Sequence, residues 1–224
     1  MRPVALLLTA ALVAGCSSNG TSPVVGAIRD AVFGGPREAP PPAPSAQAAA
    51  AALPDEVAAI RVEVPSVGLT EIAIAISKSG DRVTYLGTNN RSMVIRGGLV
   101  SSTHGFGYDM APVAVAADDP IVRPRPVADW PARITRQYQT VGTGPTGVVT
   151  TVTCSYSSLG AQQVDLPAAP ASLVRMQEAC EGDGQRFRNL YDVEPGTGRI
   201  WQSGQWTGPL QGAMEIQVLE PLEE

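Results

Sequence analysis

From Val57 onward the apolar residues of this chain recur at every second position. Ile72, Ile74 and Ile76 alternate with Ala73 and Ala75. Val148, Thr150, Val152, Cys154 and Tyr156 share one side of a longer run. Met214, Ile216 and Val218 share another, with Glu215 and Gln217 opposite. A side-chain period of two fits a half-buried β-strand and no helix. Turn-forming residues separate the runs: Gly80-Asp81, Asn89-Asn90, Gly97-Gly98 and Pro195-Gly196-Thr197-Gly198. Such residues supply the backbone angles that tight hairpins need. The spacing predicts about ten to twelve short strands. It confines the chain to an all-β fold: an antiparallel, strongly curved sheet, an open barrel or a sandwich, with one or two short helices. Two stretches interrupt the pattern. Residues 171–180 carry Leu173, Val174 and Met176, which fit either period and make a helical candidate. Residues 110–131 hold five prolines and Trp130 and read as a long loop, the kind that is functional or mobile.

The start of the chain carries a different signal. Arg2 precedes an apolar run, residues 3–13, that is too short to span a bilayer. Val13-Ala14-Gly15-Cys16 closes it. A charged start, a short apolar run and small residues before a break make an export signal. Cys directly after Ala-Gly marks a bacterial lipobox. On this reading residues 1–15 are removed, Cys16 is diacylglycerylated and its new amino terminus is acylated, palmitate being the expected chain. Three acyl chains, at about 0.8 kcal/mol per buried methylene, anchor a protein firmly. Ser17 in place of Asp points to the outer membrane, with the domain facing the periplasm. Residues 16–56 then form a lipidated segment. Ser22, Pro23 and Gly34-Gly35 bracket an amphipathic stretch, with Val24, Val25, Ile28, Ala31 and Val32 on one helical face. Residues 36–54 are a Pro- and Ala-rich tether or strap in which the run from Ala48 to Ala52 can add a turn or two of helix. Residues 57–224 are the β domain, long enough for one sizeable core.

Charge and cysteine usage agree with export. Asp and Glu number 21 against 16 Lys and Arg. An acidic chain of this kind argues against nucleic acid and against charge-driven binding to anionic lipid headgroups. With Cys16 lipidated, Cys154 and Cys180 remain. An even pair in an oxidising compartment predicts one disulfide, two separate free thiols being the alternative. Their spacing, with no His nearby in sequence, does not suggest a metal site.

No nucleophile elbow, zinc-protease helix, CxxC pair or nucleotide loop is present, and the chain has one histidine, His104. No catalytic residue, cofactor or metal ligand is assigned, and the expectation is a non-enzyme. Two clusters stand out. Gly105-Phe106-Gly107-Tyr108-Asp109 is either a tight bend with Phe106 plugging the core or a ligand loop presenting His104, Tyr108 and Asp109. The second runs from Phe187 through Asn189 and Tyr191, across a Pro-Gly turn, to Trp201, Gln205 and Trp206. Alternation puts Trp201, Ser203 and Gln205 on one face and Ile200, Gln202 and Trp206 on the other. Trp residues among Asn, Gln and Asp suit stacking and hydrogen bonding to sugars. They equally suit a sheet core with a polar rim.

These clusters carry a family likeness. The lipobox, the stretch ending Thr103-His104-Gly105-Phe106-Gly107-Tyr108-Asp109, then Phe187-Arg188-Asn189-Leu190-Tyr191 and Gly198-Arg199-Ile200-Trp201-Gln202-Ser203-Gly204-Gln205-Trp206 resemble the YjbF/GfcB family of capsule and exopolysaccharide lipoproteins. His104 stands where much of that family carries Arg. The resemblance implies a lipid-anchored outer-membrane protein with a curved antiparallel sheet, working beside exopolysaccharide-secretion proteins or on the polysaccharide itself. The two clusters themselves supply the candidate ligand or partner contacts: His104, Tyr108, Asp109, Asn189, Tyr191, Trp201, Gln205 and Trp206. Two other readings stay open: a carrier holding acyl chains on an apolar concave face, and a glycan-modifying enzyme needing two facing carboxyls.

Overall fold

Twelve strands follow one another as an unbroken antiparallel meander in the computed structural model, which describes residues 44–54, 57–141, 147–169 and 172–222. They are β1 (Ala59–Val64), β2 (Leu69–Ser79), β3 (Arg82–Leu86), β4 (Ser92–Arg96), β5 (Leu99–His104) and β6 (Met110–Val115). After a long connection come β7 (Arg133–Thr140), β8 (Val148–Gln163), β9 (Ser172–Gly182), β10 (Gln185–Val193), β11 (Ile200–Trp206) and β12 (Ala213–Glu220). One sheet holds all of them, in the order β5-β4-β3-β2-β1-β12-β11-β10-β9-β8-β7-β6. Its two edge strands meet, and the Met110 N–H donates to Thr103 Oγ1 at 3.1 Å across the seam. The sheet is thus a nearly closed barrel, which hides edges that would otherwise recruit other chains. The predicted signal peptide, lipobox, tether start and first amphipathic stretch lie outside the described residues.

Two local expectations are corrected. Residues 172–182 form β9 rather than a helix, because Leu173, Met176, Glu178 and Cys180 are drawn into the sheet by pairing with β8 and β10 on both sides. Residues 110–115 form β6 rather than loop; the irregular connection begins after Val115. The isoleucines of β2 face outward. Ala73 is buried, while Ile74 and Ile76 are 40% and 53% exposed. Small residues inside and branched ones outside suit the crowded wall of a narrow barrel.

The Ala run does form a helix, α1 (Ala46–Ala51), capped by the Ser45 hydroxyl accepting from the Ala48 N–H. Its Ala49 packs on Ala59 and Leu219, with Ile72 partly buried beside them. This short helix covers part of the barrel's outer wall near the ends of β1 and β12.

Side chains fill the interior. Ile60, Val62, Met93, Leu99, Ile134, Val152, Met214 and Ile216 belong to one continuous core. The connection between β6 and β7 folds into it, burying Asp119, Ile121 and Val122. Gly97 makes room for this insertion: its φ is +57°, and a Cβ there would sit 2.5 Å from the Ile121 carbonyl oxygen.

Within that core lies a charged cluster. Arg136 of β7 donates to both Asp119 carboxylate oxygens at 2.6 and 2.9 Å and to Glu178 Oε2 at 2.8 Å. The same Glu178 oxygen accepts from Asn189 Nδ2 at 2.7 Å and from the Tyr191 hydroxyl at 3.0 Å. All three charged side chains are fully buried. Burial alone would pull Arg136 down, but Glu178, the neighbouring tyrosines and Asp119 hold its pKa well above the usual arginine value. Glu178 also lies beside the Cys154–Cys180 bond, within 4.8 Å of both sulfurs. Those sulfurs are bonded to each other, so the group has no thiolate to offer a metal.

The buried tyrosines give a pH signature. Burial, ahead of the nearby charges, pushes Tyr138 up from 10.0 to about 12 and holds Tyr191 well above its ordinary value. These tyrosines ionise in the unfolded chain before they ionise in the folded one. The unfolded state therefore binds fewer protons between the two values, and stability falls as pH rises there. The urea midpoint is expected to stay level up to about pH 10 and to drop between pH 10 and 12. A midpoint unchanged through that window would contradict the assignment.

Candidate functional site

Because every connection is antiparallel, the turns divide between two ends. The chain enters and leaves at the base, together with the β2–β3, β4–β5, β6–β7, β8–β9 and β10–β11 connections. The other six turns form the tip.

A cleft of about 760 Å³ opens at the base. The β2–β3 turn supplies Lys78 and Asp81, and the β10–β11 hairpin supplies Glu194, Thr197 and Arg199. Tyr85 and Trp201, 8% and 4% exposed, back it. Below it a small void of about 50 Å³ reaches Ile60, Ile95 and Ile216 in the core. The hairpin is stiff. The Glu194 N–H donates to the Arg199 carbonyl, the Gly198 N–H returns to Glu194, and the Thr197 hydroxyl donates to the Glu194 carboxylate at 2.9 Å. Gly198, at φ +77°, lets the Arg125 backbone pass against the turn.

Trp201 owes its place to a bulge. Asp192 pairs with Gln202 and Val193 with Ile200, which leaves Trp201 as the extra residue. A bulge re-aims its side chain. Trp201 therefore leaves the alternation with Ser203 and Gln205 and packs with Leu166 and Leu173 in a separate small cluster. The Arg199 guanidinium carbon lies 5.6 Å from the Trp201 ring centroid, within cation–π range. The Trp201 side chain is buried, yet its indole Nε1–H finds no acceptor among the described residues.

The electrostatics of the rim bear on catalysis. Arg96 donates two hydrogen bonds to Asp81 Oδ2, at 2.7 and 3.0 Å. These bonds hold the Asp81 carboxyl below its ordinary pKa of 3.8. A glycosidase acid needs its proton held, through a raised pKa. Asp81 is tuned the other way.

The structure separates the residues expected to act together. Trp201 lines the base cleft. Asn189, Tyr191 and Gln205 are interior: the first two serve Glu178, and Gln205 donates to the Gly98 carbonyl at 2.8 Å while accepting from the Val100 N–H at 3.0 Å. Trp206 stacks on Phe187 with centroids 4.2 Å apart and meets Tyr138 edge-on. His104, Tyr108 and Asp109 lie at the tip. The Asp109 carboxylate accepts the N–H groups of Gly105 and Phe106 at 2.7 and 3.1 Å, and Phe106 is buried. Phe106 plugs the core, as the tight-bend reading requires, and Tyr108 is exposed. Sequence reasoning passed over Lys78, Asp81 and Tyr85. Turn parity along the meander is the signal that joins their hairpin to the one bearing Trp201.

A second groove, of about 820 Å³, crosses the outer wall over β7 to β10. Arg133, Ser155 and Arg188 line it. Its aromatic contribution is Phe187, which is already stacked on Trp206. The base cleft offers the better-defined combination of rings and polar groups.

Residues 27–219 match the family described as group 4 capsule polysaccharide lipoprotein, YjbF. The chain belongs to the YjbF family. Among solved structures, the hypothetical lipoprotein YmcC of Escherichia coli K12 superposes with a TM-score of 0.67 at 17% identity. The alignment covers 92% of this chain and 100% of that one. At that identity the likeness shows the shared barrel. No curated protein sequence matches the chain. Membership of a capsule lipoprotein family associates this YjbF-type barrel with a membrane and with capsule polysaccharide.

Proposed function

We propose that this YjbF-family protein is a non-catalytic accessory factor in capsule or exopolysaccharide secretion. Lipid on Cys16 holds it at the outer membrane, facing the periplasm, and the base cleft engages the glycan. One observation carries the binding site: Trp201 and Tyr85 line a cleft whose rim bears Lys78, Asp81, Thr197 and Arg199. Sugars present apolar C–H faces and polar hydroxyl edges. They are held where an aromatic wall adjoins hydrogen-bonding groups. Among the described residues the indole N–H of Trp201 is a buried donor without an acceptor, and a sugar hydroxyl would satisfy it where binding opens the cleft wall to the ring. The ionised Asp81 carboxylate would accept hydrogen bonds from sugar hydroxyls.

Titration of the purified full-length protein with oligosaccharides cut from the producing strain's own capsule tests this reading. Binding is expected to change tryptophan fluorescence in a saturable way. Trp201→Phe keeps a ring but removes the N–H. It is expected to weaken binding about fivefold, the worth of one hydrogen bond of about 1 kcal/mol. No saturable binding by the wild-type protein, or capture of a secretion protein with no glycan bound, would overturn the glycan reading.

A further inference from the structure

Four of the six tip turns are chemically unlike the base, while the other two carry Arg91 and an exposed Asp183. Large apolar side chains stand exposed on the four: Val67 at 50%, Tyr108 at 46%, Val141 at 40%, Val148 at 49%, Val149 at 56% and Leu210 at 56%. These six lie in or beside four turns whose described residues approach one another. The Tyr108 N–H donates to Gln211 Oε1 at 2.9 Å. A Cβ on Gly107 would lie 4.0 Å from Val67 Cγ1, and one on Gly208 would lie 3.0 Å from Thr140 Cγ2. Residues 65–68, 105–109 and 207–212, with Val141 and Gly147, contain one charged residue, Asp109, which is occupied with two backbone N–H groups. The base turns by contrast expose Lys78, Asp81, Asp118, Arg123 and Asp129.

A contiguous apolar patch on an otherwise acidic protein marks a contact surface. Three of its backbone N–H groups are paired within their own turns. Gly68 N–H donates to Pro65, Gly212 N–H to Gly208 and Thr207 N–H to Gly212. Turns closed on themselves in this way avoid the cost of bare backbone groups in hydrocarbon. A tyrosine among aliphatic residues is the mixture that settles at the headgroup boundary.

The length of chain outside the barrel identifies the occupant. Residues 17–43 separate Cys16 from the first described residue. With the amphipathic stretch between Ser22 and Gly34 helical at about 1.5 Å per residue and the rest extended at about 3 Å, they reach on the order of 60 Å. The longest strand has 16 residues, on the order of 55 Å when extended. The tether can therefore return the tip to the bilayer that holds its own lipid. We propose that the tip inserts shallowly into that bilayer as a second membrane contact, leaving the charged base and its cleft facing away. This orientation rests on the lipid assigned to Cys16.

The test uses the full lipidated chain in vesicles of phosphatidylethanolamine and phosphatidylglycerol. Leu210→Cys and, separately, Val149→Cys carry an environment-sensitive fluorophore; Ile76→Cys, on the outer wall, is the control. Each introduced thiol is the reactive one, since Cys154 and Cys180 are bonded to each other and Cys16 is lipidated. All three positions are half exposed, so labelling leaves the core intact, and an unchanged melting transition verifies it. Flotation with vesicles reports the lipid anchor independently of the label. The expected result is a blue shift and quenching by doxyl-labelled lipid at positions 210 and 149, with none at 76. Labels at both tip positions that float with the vesicles yet escape lipid quenching would overturn the proposal. So would labels shielded only after outer-membrane proteins are added, which would make the tip a protein-docking surface.

Discussion

Arg136→Met is expected to destabilise the barrel by about 3–5 kcal/mol, the cost of leaving buried charge without its partner. Asp119 and Glu178 are both fully buried, and Arg136 is the cation that bonds both. Once it is removed, two carboxylates face each other in the core, and each must take up a proton or draw in water. The loss is not confined to one contact. Asp119 lies on the inserted connection between β6 and β7, so breaking its bonds also loosens Ile121 and Val122. Equilibrium urea unfolding measures the effect. Arg136→Met combined with Glu178→Gln provides the check, because the amide oxygen of Gln still accepts from Asn189 and Tyr191. The double variant is expected to recover part of the loss. Strictly additive losses would show that the two residues do not act on one another.

The second large effect is at the disulfide. Cys154 and Cys180 sit directly opposite each other on β8 and β9, 26 residues apart in sequence. Cys154→Ala with Cys180→Ala is expected to lower stability by about 3 kcal/mol, roughly 6–12 °C in melting temperature. The effect has two sources. The crosslink restricts the unfolded chain, and both sulfurs lie buried beside Glu178, where alanine leaves space against a charged group. A melting transition unmoved by the double substitution would remove the bond from the list of stabilising features.

Much of the fold was legible because alternation is a local signal. The runs through Thr150, Val152 and Cys154, and through Met214 and Ile216, turn inward as their pattern requires. Residues 172–182 misled because Leu173, Val174 and Met176 fit both periods, and only the flanking strands decide between them. Arg136 was passed over for a different reason. It stands on the inward side of β7 with Ile134 and Tyr138, but charged residues are so seldom buried that alternation is not read through them. Its partners, Asp119 and Glu178, come from elements remote in sequence, and no spacing links them. The same holds for the base cleft. Trp201 was visible as a residue, but its role depends on a bulge that breaks the alternation used to place it. Lys78 and Asp81 reach it only through the parity of the whole meander.

The central claim is that this barrel serves polysaccharide secretion through its base cleft. The most direct test is the amount of surface polysaccharide made by a strain lacking the gene and complemented with variants expressed at equal level. The account predicts a reduced coat in the deletion strain, full recovery with the wild-type chain and incomplete recovery with Trp201→Phe. An undiminished coat in the deletion strain, or full recovery with Trp201→Phe, would contradict it.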